Sequence, residues 1–172
     1  MIQAHRINSV LFLACCISSS ALFSCKPEPK AIILRKPTTK ATADLIVRKE
    51  VRTVAFGSCA HAEQPMPILD VAIGQKPDLF VWLGDNVYGD TEDISTLEAE
   101  YETLGQNPHF QRLNSATRLL ATWDDHDYGW NDAGRHYPLK EESKDVFLDF
   151  WKDPRDAPRK DRDGIYMSYL FD

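Results

Sequence analysis

Hydrophobic positions along the chain take on a regular rhythm at residue 51. Residues 51–56 (VRTVAF) are rich in β-formers and run into Gly57-Ser58-Cys59, which predicts a strand followed by a loop. Residues 67–75 predict a helix, opened by Pro67 in its first turn and closed by Gly-Gln-Lys-Pro. Residues 78–83 (DLFVWL) are a continuous apolar strand entering Gly84-Asp85-Asn86. Ser95, with Glu98 three residues on, predicts a capped helix over 95–104, and a second helical segment is expected over 108–115. Residues 118–123 (RLLATW) predict another buried strand, ending in Asp124-Asp125-His126-Asp127. A further helix over 140–151 places Val146, Phe147 and Phe150 on one face. The stretch 164–172 reads as a strand cut off at its end.

This alternation of near-continuous apolar strands with helices predicts an α/β fold, a βαβ-type layered sheet flanked by helices. Proteins of that class build their sites in the loops beyond the C-terminal ends of the strands. All three polar clusters of the chain fall there.

The part before residue 51 changes the picture of where the protein works. Residues 1–24 contain no acid, and Arg6 precedes a short apolar or small-residue run over 10–23. That is the layout of a secretory signal peptide, shorter than the roughly 18–20 apolar residues of a membrane span. Leu22-Phe23-Ser24-Cys25 resembles the bacterial lipobox, in which Cys25 is lipidated. The expectation is an exported lipoprotein of the cell envelope, anchored to a membrane, with an ordinary cleaved signal as the alternative. Residues 26–50 carry seven Lys/Arg against three Asp/Glu and read as a basic, Pro- and Thr-containing linker. The short apolar run 31–34 is expected to rest on the domain.

Charge then narrows the function. Residues 51–172 carry 12 Lys/Arg against 23 Asp/Glu, the opposite of the basic footprint that nucleic-acid binding needs. Such a body suits carboxylates gathered around cations. No protein partner is indicated. With Cys15 and Cys16 in the leader and Cys25 acylated, Cys59 is the sole thiol of the mature chain, so an internal disulfide is excluded.

The three clusters carry the chemistry. In Ser58-Cys59-Ala60-His61 a thiolate and an imidazole can face one cation, or the thiol can be a buried bystander beside a surface His. In the second cluster, Asp85 is the first carboxylate off a hydrophobic strand, costly to bury unless paired or bound to metal. A strand-ending Asp-Asn turn is its bland alternative. In the third, Asp124, Asp125 and Asp127 surround His126, and a cation relieves their mutual repulsion. Hard oxygen ligands suit Ca, Mg, Mn or ferric iron, whereas imidazole and thiolate favour Zn or Fe, so the mixture points to a two-metal centre.

Taken together, FGSCAH, DLFVWLGDNVYGD and LLATWDDHDYGWND resemble the PhoD-like family of alkaline phosphatases and phosphodiesterases, within the calcineurin-like metallophosphoesterase superfamily. The resemblance covers about residues 53–134. It implies a metallophosphatase-like αββα sandwich and a centre of two or more metal ions, iron and calcium foremost. It also implies hydrolysis of phosphate esters, mono- or diesters, by a metal-activated hydroxide. Carried over motif by motif, it implies Cys59, His61, Asp85, Asp124 and Asp125 as metal ligands, with Asp85 bridging, and His126 as the assisting catalytic group. Asn86, Tyr88, Asp127 and Asn131 are expected to support those ligands. Family members run on further and complete the site with a late His, whereas no His follows His136 here. Residues 51–172 are therefore expected to be the N-terminal portion of the catalytic domain. Rival readings are a covalent Cys59 nucleophile with His61 or His126 as base, and a truncated or degenerate, non-catalytic metal-binding surface lipoprotein. Ser58 lacks the Gly-x-Ser-x-Gly elbow of a serine hydrolase.

Overall fold

In the computed structural model, which describes residues 3–6, 45–47, 50–154 and 156–171, the strands are β1 (Gln3–Arg6), β2 (Leu45–Val47), β3 (Thr53–Gly57), β4 (Leu79–Leu83), β5 (Arg118–Thr122) and β6 (Tyr169–Phe171). The helices are α1 (Pro67–Gly74), α2 (Ile94–Gln106), α3 (Pro108–Ala116), α4 (Asp125–Tyr128) and α5 (Lys140–Phe150). The main sheet has the order β1-β3-β4-β5. Strands β3, β4 and β5 run parallel, and β1 pairs antiparallel with β3. Strands β2 and β6 form a separate parallel pair.

Both helical crossovers, β3 to β4 and β4 to β5, step in the same direction along the sheet. Right-handed connections then place α1 and the α2–α3 pair on one face. The register puts Ala55, Phe80 and Leu119 side by side on that face, and Gly57, Trp82 and Ala121 one step further along. Phe80 and Trp82 are 0% and 1% exposed. They form one core with Leu69 of α1, Leu97 and Tyr101 of α2, Phe110 of α3 and Phe147 of α5. Each large apolar side chain buried this way stabilises the fold by about 1.5–3 kcal/mol.

The other face of the sheet is covered less. Val54, Phe56, Val81 and Leu120 are half-buried there, and Leu83 is 46% exposed. The C-terminal segment reaches the open edge of β5, where Arg159 Nη1 donates to the Ala121 carbonyl at 3.1 Å and its guanidinium lies 5.4 Å from the Phe147 ring centroid.

The predicted strands and helices of 51–151 are present with boundaries moved by a residue or two, whereas the stretch 164–172 is a strand only over Tyr169–Phe171. The start of α2 needs a correction. Its cap is Asp93, whose Oδ1 accepts from Ser95 N at 3.0 Å and from Ser95 Oγ at 2.8 Å. A carboxylate both accepts that hydrogen bond and complements the helix dipole, so it displaces Ser95 into the first turn. The one-turn helix α4 and the strands β1 and β2 were not expected. Of the leader and linker, only Gln3–Arg6, Leu45–Val47 and Glu50 are described. The lipidated Cys25 and the run 31–34 lie outside the described residues. Among the described residues no helix is long and apolar enough to cross a membrane.

An ion cluster ties α1 to α3. Arg112 donates to both oxygens of Asp70, at 2.8 and 2.9 Å, and His109 Nδ1 lies 2.7 Å from Asp70 Oδ2. The Arg112 hydrogen bond, more than the His109 contact, lowers the Asp70 pKa to about 2. A lowered carboxyl pKa stabilises the fold above its unfolded value, about 3.9, and that contribution fades as pH falls toward the folded value. Arg112→Ala is therefore expected to return the Asp70 pKa toward the unperturbed range, read by carboxyl-carbon NMR titration. An unmoved titration would show that Arg112 does not hold Asp70 in solution.

Candidate metal centre

The loops after β3, β4 and β5 lie side by side because their strands do. Backbone hydrogen bonds staple them. Cys59 N donates to the Gly84 carbonyl at 3.4 Å and Ala60 N to the Asp85 carbonyl at 2.8 Å, joining the first loop to the second. Gly89 N donates to the His126 carbonyl at 3.1 Å, joining the second to the third. Behind the first loop, Asn107 caps α3 and donates through Nδ2 to the carbonyls of Ala62 and Gln64, both at 2.9 Å.

Cys59 and Asp85 each follow a strand closely, and both adopt left-handed backbone conformations, with φ of 59° and 49°; Asp90 does so at 44°. Non-glycine residues occupy that region at a cost, and such residues concentrate at functional sites. Here the bend turns side chains of neighbouring loops toward one point.

Asp85, Asp125 and His126 offer one ligand atom each, all within 4.8 Å of one another. Cys59 Sγ lies 3.5 Å from Asp85 Oδ2, on which the Tyr88 hydroxyl also converges at 3.3 Å. Asp85 Oδ1 is buried and has no hydrogen-bond partner. A buried carboxylate oxygen left without a donor is costly, and a cation satisfies it. Two carboxylates, an imidazole and an adjacent thiol form a mixed set of hard and borderline donors, so the residues present could hold a metal ion.

His126 is held by a residue that sequence reasoning did not single out. Its Nδ1 lies 2.6 Å from Asp90 Oδ1, which leaves Nε2 for the site. Burial pulls the His126 pKa down, but the Asp90 hydrogen bond and the charges of Asp90, Asp125 and Asp85 outweigh it, and the net shift is upward. The available signal was the position of Asp90 after Gly89, inside the same acidic loop as Asp85.

Asp127 is fully buried and connects the second and third loops. Its Oδ1 accepts from Asn86 N at 2.9 Å, Val87 N at 3.3 Å and the Tyr101 hydroxyl at 3.1 Å, and its Oδ2 accepts from Asp124 N at 2.8 Å. Burial pushes its carboxyl up to about 7, against the pull of these donors. Asn86 is likewise buried and donates through Nδ2 to the Thr122 carbonyl at 2.9 Å.

Other expected ligands stand apart. His61 is exposed and stacks on Tyr88, centroids 4.5 Å apart and planes 10° apart, while Tyr88 in turn lies 4.5 Å from the His126 ring. The stack keeps His61 outside the group of three. The Asp124 side chain accepts from Asp125 N at 3.0 Å, serving as the cap of α4. Asn131 contacts Asp132, and the backbone N–H of Asp132, another unanticipated partner, donates to Asp125 Oδ2.

No protein-family model, curated protein or solved structure matches this chain.

Proposed function

We propose that the domain is a metal-dependent phosphoester hydrolase of the PhoD-like type. The observation that carries the reading is the convergence of Asp85, Asp125 and His126 from adjacent strand-end loops, around a buried Asp85 oxygen with no donor. Asp85, Asp125 and Cys59 would hold the ion or ions, with His126 beside them as the proton-handling group. Iron and calcium are the first choice, and Zn, Mn or Mg suit the same donors. When bound, such ions neutralise charge on the phosphoryl oxygens and lower the pKa of water. Asp85, at the middle of the three loops, reaches both flanking loops and suits a bridging position. Tyr88 orients its carboxylate. Asp90 fixes the His126 ring, so that Nε2 can hold or give a proton at the leaving oxygen.

The half-exposed apolar face of the sheet supports the finer fold reading, a metallophosphatase-like αββα sandwich in which a second sheet covers that face. The leader-like residues 1–24 and the lipobox-like Leu22-Phe23-Ser24-Cys25 support the reading of an exported, lipid-anchored enzyme of the cell envelope. One observation favours the rival, a non-catalytic metal-binding lipoprotein: His61 and Asp124 stay outside the cluster, leaving it few protein ligands.

Metal analysis of the purified full chain, paired with hydrolysis of bis-p-nitrophenyl phosphate and p-nitrophenyl phosphate, separates the two. Bound metal with turnover is expected, and Asp85→Asn is expected to lower turnover by at least about 10²–10³-fold, the scale of losing one preorganised electrostatic group. Metal without turnover favours the rival. Folded protein with neither sinks both.

A further inference from the structure

A cavity of about 330 Å³ opens beside the candidate centre, between the loop after β3 and the start of α1. Phe80 and Trp82 line it and are almost fully buried, as are Met66 and Leu69. Ile68, at the start of α1, also lines it and is 47% exposed. The volume falls within the range of small-molecule sites, from roughly 300 Å³ upward. Two larger depressions, about 580 Å³ against α1 and α3 and about 440 Å³ against α2 and α5, share no residue with the metal cluster.

Two features connect the smaller cavity to the candidate centre. Cys59 lines it, and the same residue places Sγ 3.5 Å from Asp85 Oδ2. His61 lines it as well and stacks on Tyr88, which carries the contact on to His126. The lining is mixed: Ser58 and Gln64 stand with the apolar side chains, and the buried Trp82 indole N–H lacks an acceptor.

Strand order sets the direction. Because β4 lies between β3 and β5, the cavity and His126 flank Asp85 on opposite sides. A phosphate ester centred at Asp85 with its leaving oxygen toward His126 directs its other arm toward the cavity. Resting on the hydrolase reading above, we propose that this cavity is the subsite for the retained arm of a phosphodiester, and that the preferred substrates carry an apolar arm there, of about six carbons or one aromatic ring.

The test compares two diesters with the same p-nitrophenyl leaving group and either a methyl or a hexyl second arm, using the metal-loaded full chain. The hexyl ester is expected to show a kcat/KM about 10-fold or more above the methyl ester, chiefly through KM, because several methylenes leave water. Ile68→Lys, at an exposed position, is expected to bring that ratio toward one, and Ile68→Leu to keep it. A second readout needs no catalysis. The neutral fluorophore N-phenyl-1-naphthylamine is expected to bind the wild-type chain and to be displaced by hexyl methyl phosphate but not by dimethyl phosphate, with binding weakened several-fold in Ile68→Lys. If no ester turns over but this displacement holds, the cavity assignment stands and the hydrolase reading falls. Equal kcat/KM for the two esters, or displacement unaffected by Ile68→Lys, overturns the subsite.

Discussion

Replacing Asp127 with alanine is expected to destabilise the domain by about 3–5 kcal/mol, the scale of removing one member of a buried charged network. The substitution strands four donors at once: the backbone N–H groups of Asn86, Val87 and Asp124, and the Tyr101 hydroxyl. Each buried donor left unmet costs about 1–3 kcal/mol before relaxation. The loss falls on the geometry that matters most, because Asn86 adjoins Asp85 and Asp124 adjoins Asp125. Metal affinity is therefore expected to drop with stability. Asp127→Asn keeps the shape and can still accept at one oxygen, but it turns an amide donor toward Asp124 N or toward the other donors. Its expected penalty is smaller, about 1–3 kcal/mol. Urea denaturation of the three proteins reads the order wild type, Asn, Ala. If alanine costs less than asparagine, the pocket around residue 127 admits water and the buried clamp is not present in solution.

That clamp also marks where sequence reasoning stopped. LFVWL was legible because a buried parallel strand is written as an uninterrupted apolar run, whereas RLLAT, expected to be buried, forms the edge strand β5, with Arg118 and Thr122 exposed and its middle half-buried. The three site loops followed from the rule that polar residues just past such strands share one end of the sheet. What each polar residue does there was not legible, because chemically equal carboxylates take different tasks. Asp85 and Asp125 face the cluster, Asp127 turns inward to the backbone, Asp124 caps α4, and Asp90 orients His126. A run such as Asp124-Asp125-His126-Asp127 carries no periodicity that separates these tasks until the turn of helix is known. The one-turn helix α4 makes the separation, sending Asp127 to the core and leaving Asp125 and His126 half-exposed. His61 shows a competing contact of another kind. Its spacing from Cys59 suits a shared cation, yet stacking on Tyr88 offers the imidazole a competing position that no local pattern records.

Gly84→Ala is expected to be comparably damaging, for a reason of backbone rather than charge. Gly84 has φ of +102°, outside the conformations that a side chain readily tolerates, and it turns the chain from β4 into the Asp85 loop. A Cβ there would sit 2.7 Å from Asp124 Cβ and 2.9 Å from Asp124 N, and neither neighbour is the flexible end of a long side chain. Relief requires moving the start of the third loop away from the second, which separates Asp85 from Asp125. The expected cost is about 2–4 kcal/mol, combining overpacking with a strained dihedral. Gly74 provides the internal control, since it closes α1 with nothing within 4 Å of an added Cβ. Gly74→Ala is expected to be neutral or stabilising by up to about 1 kcal/mol. Thermal denaturation and metal content of the two variants give the comparison. A large loss for residue 84 alone, with metal lost alongside stability, ties the close approach of the β4 and β5 loops to the integrity of the centre. Equal small effects would mean that these loops stand further apart in solution, and the cluster of Asp85, Asp125 and His126 would lose the support that holds it together.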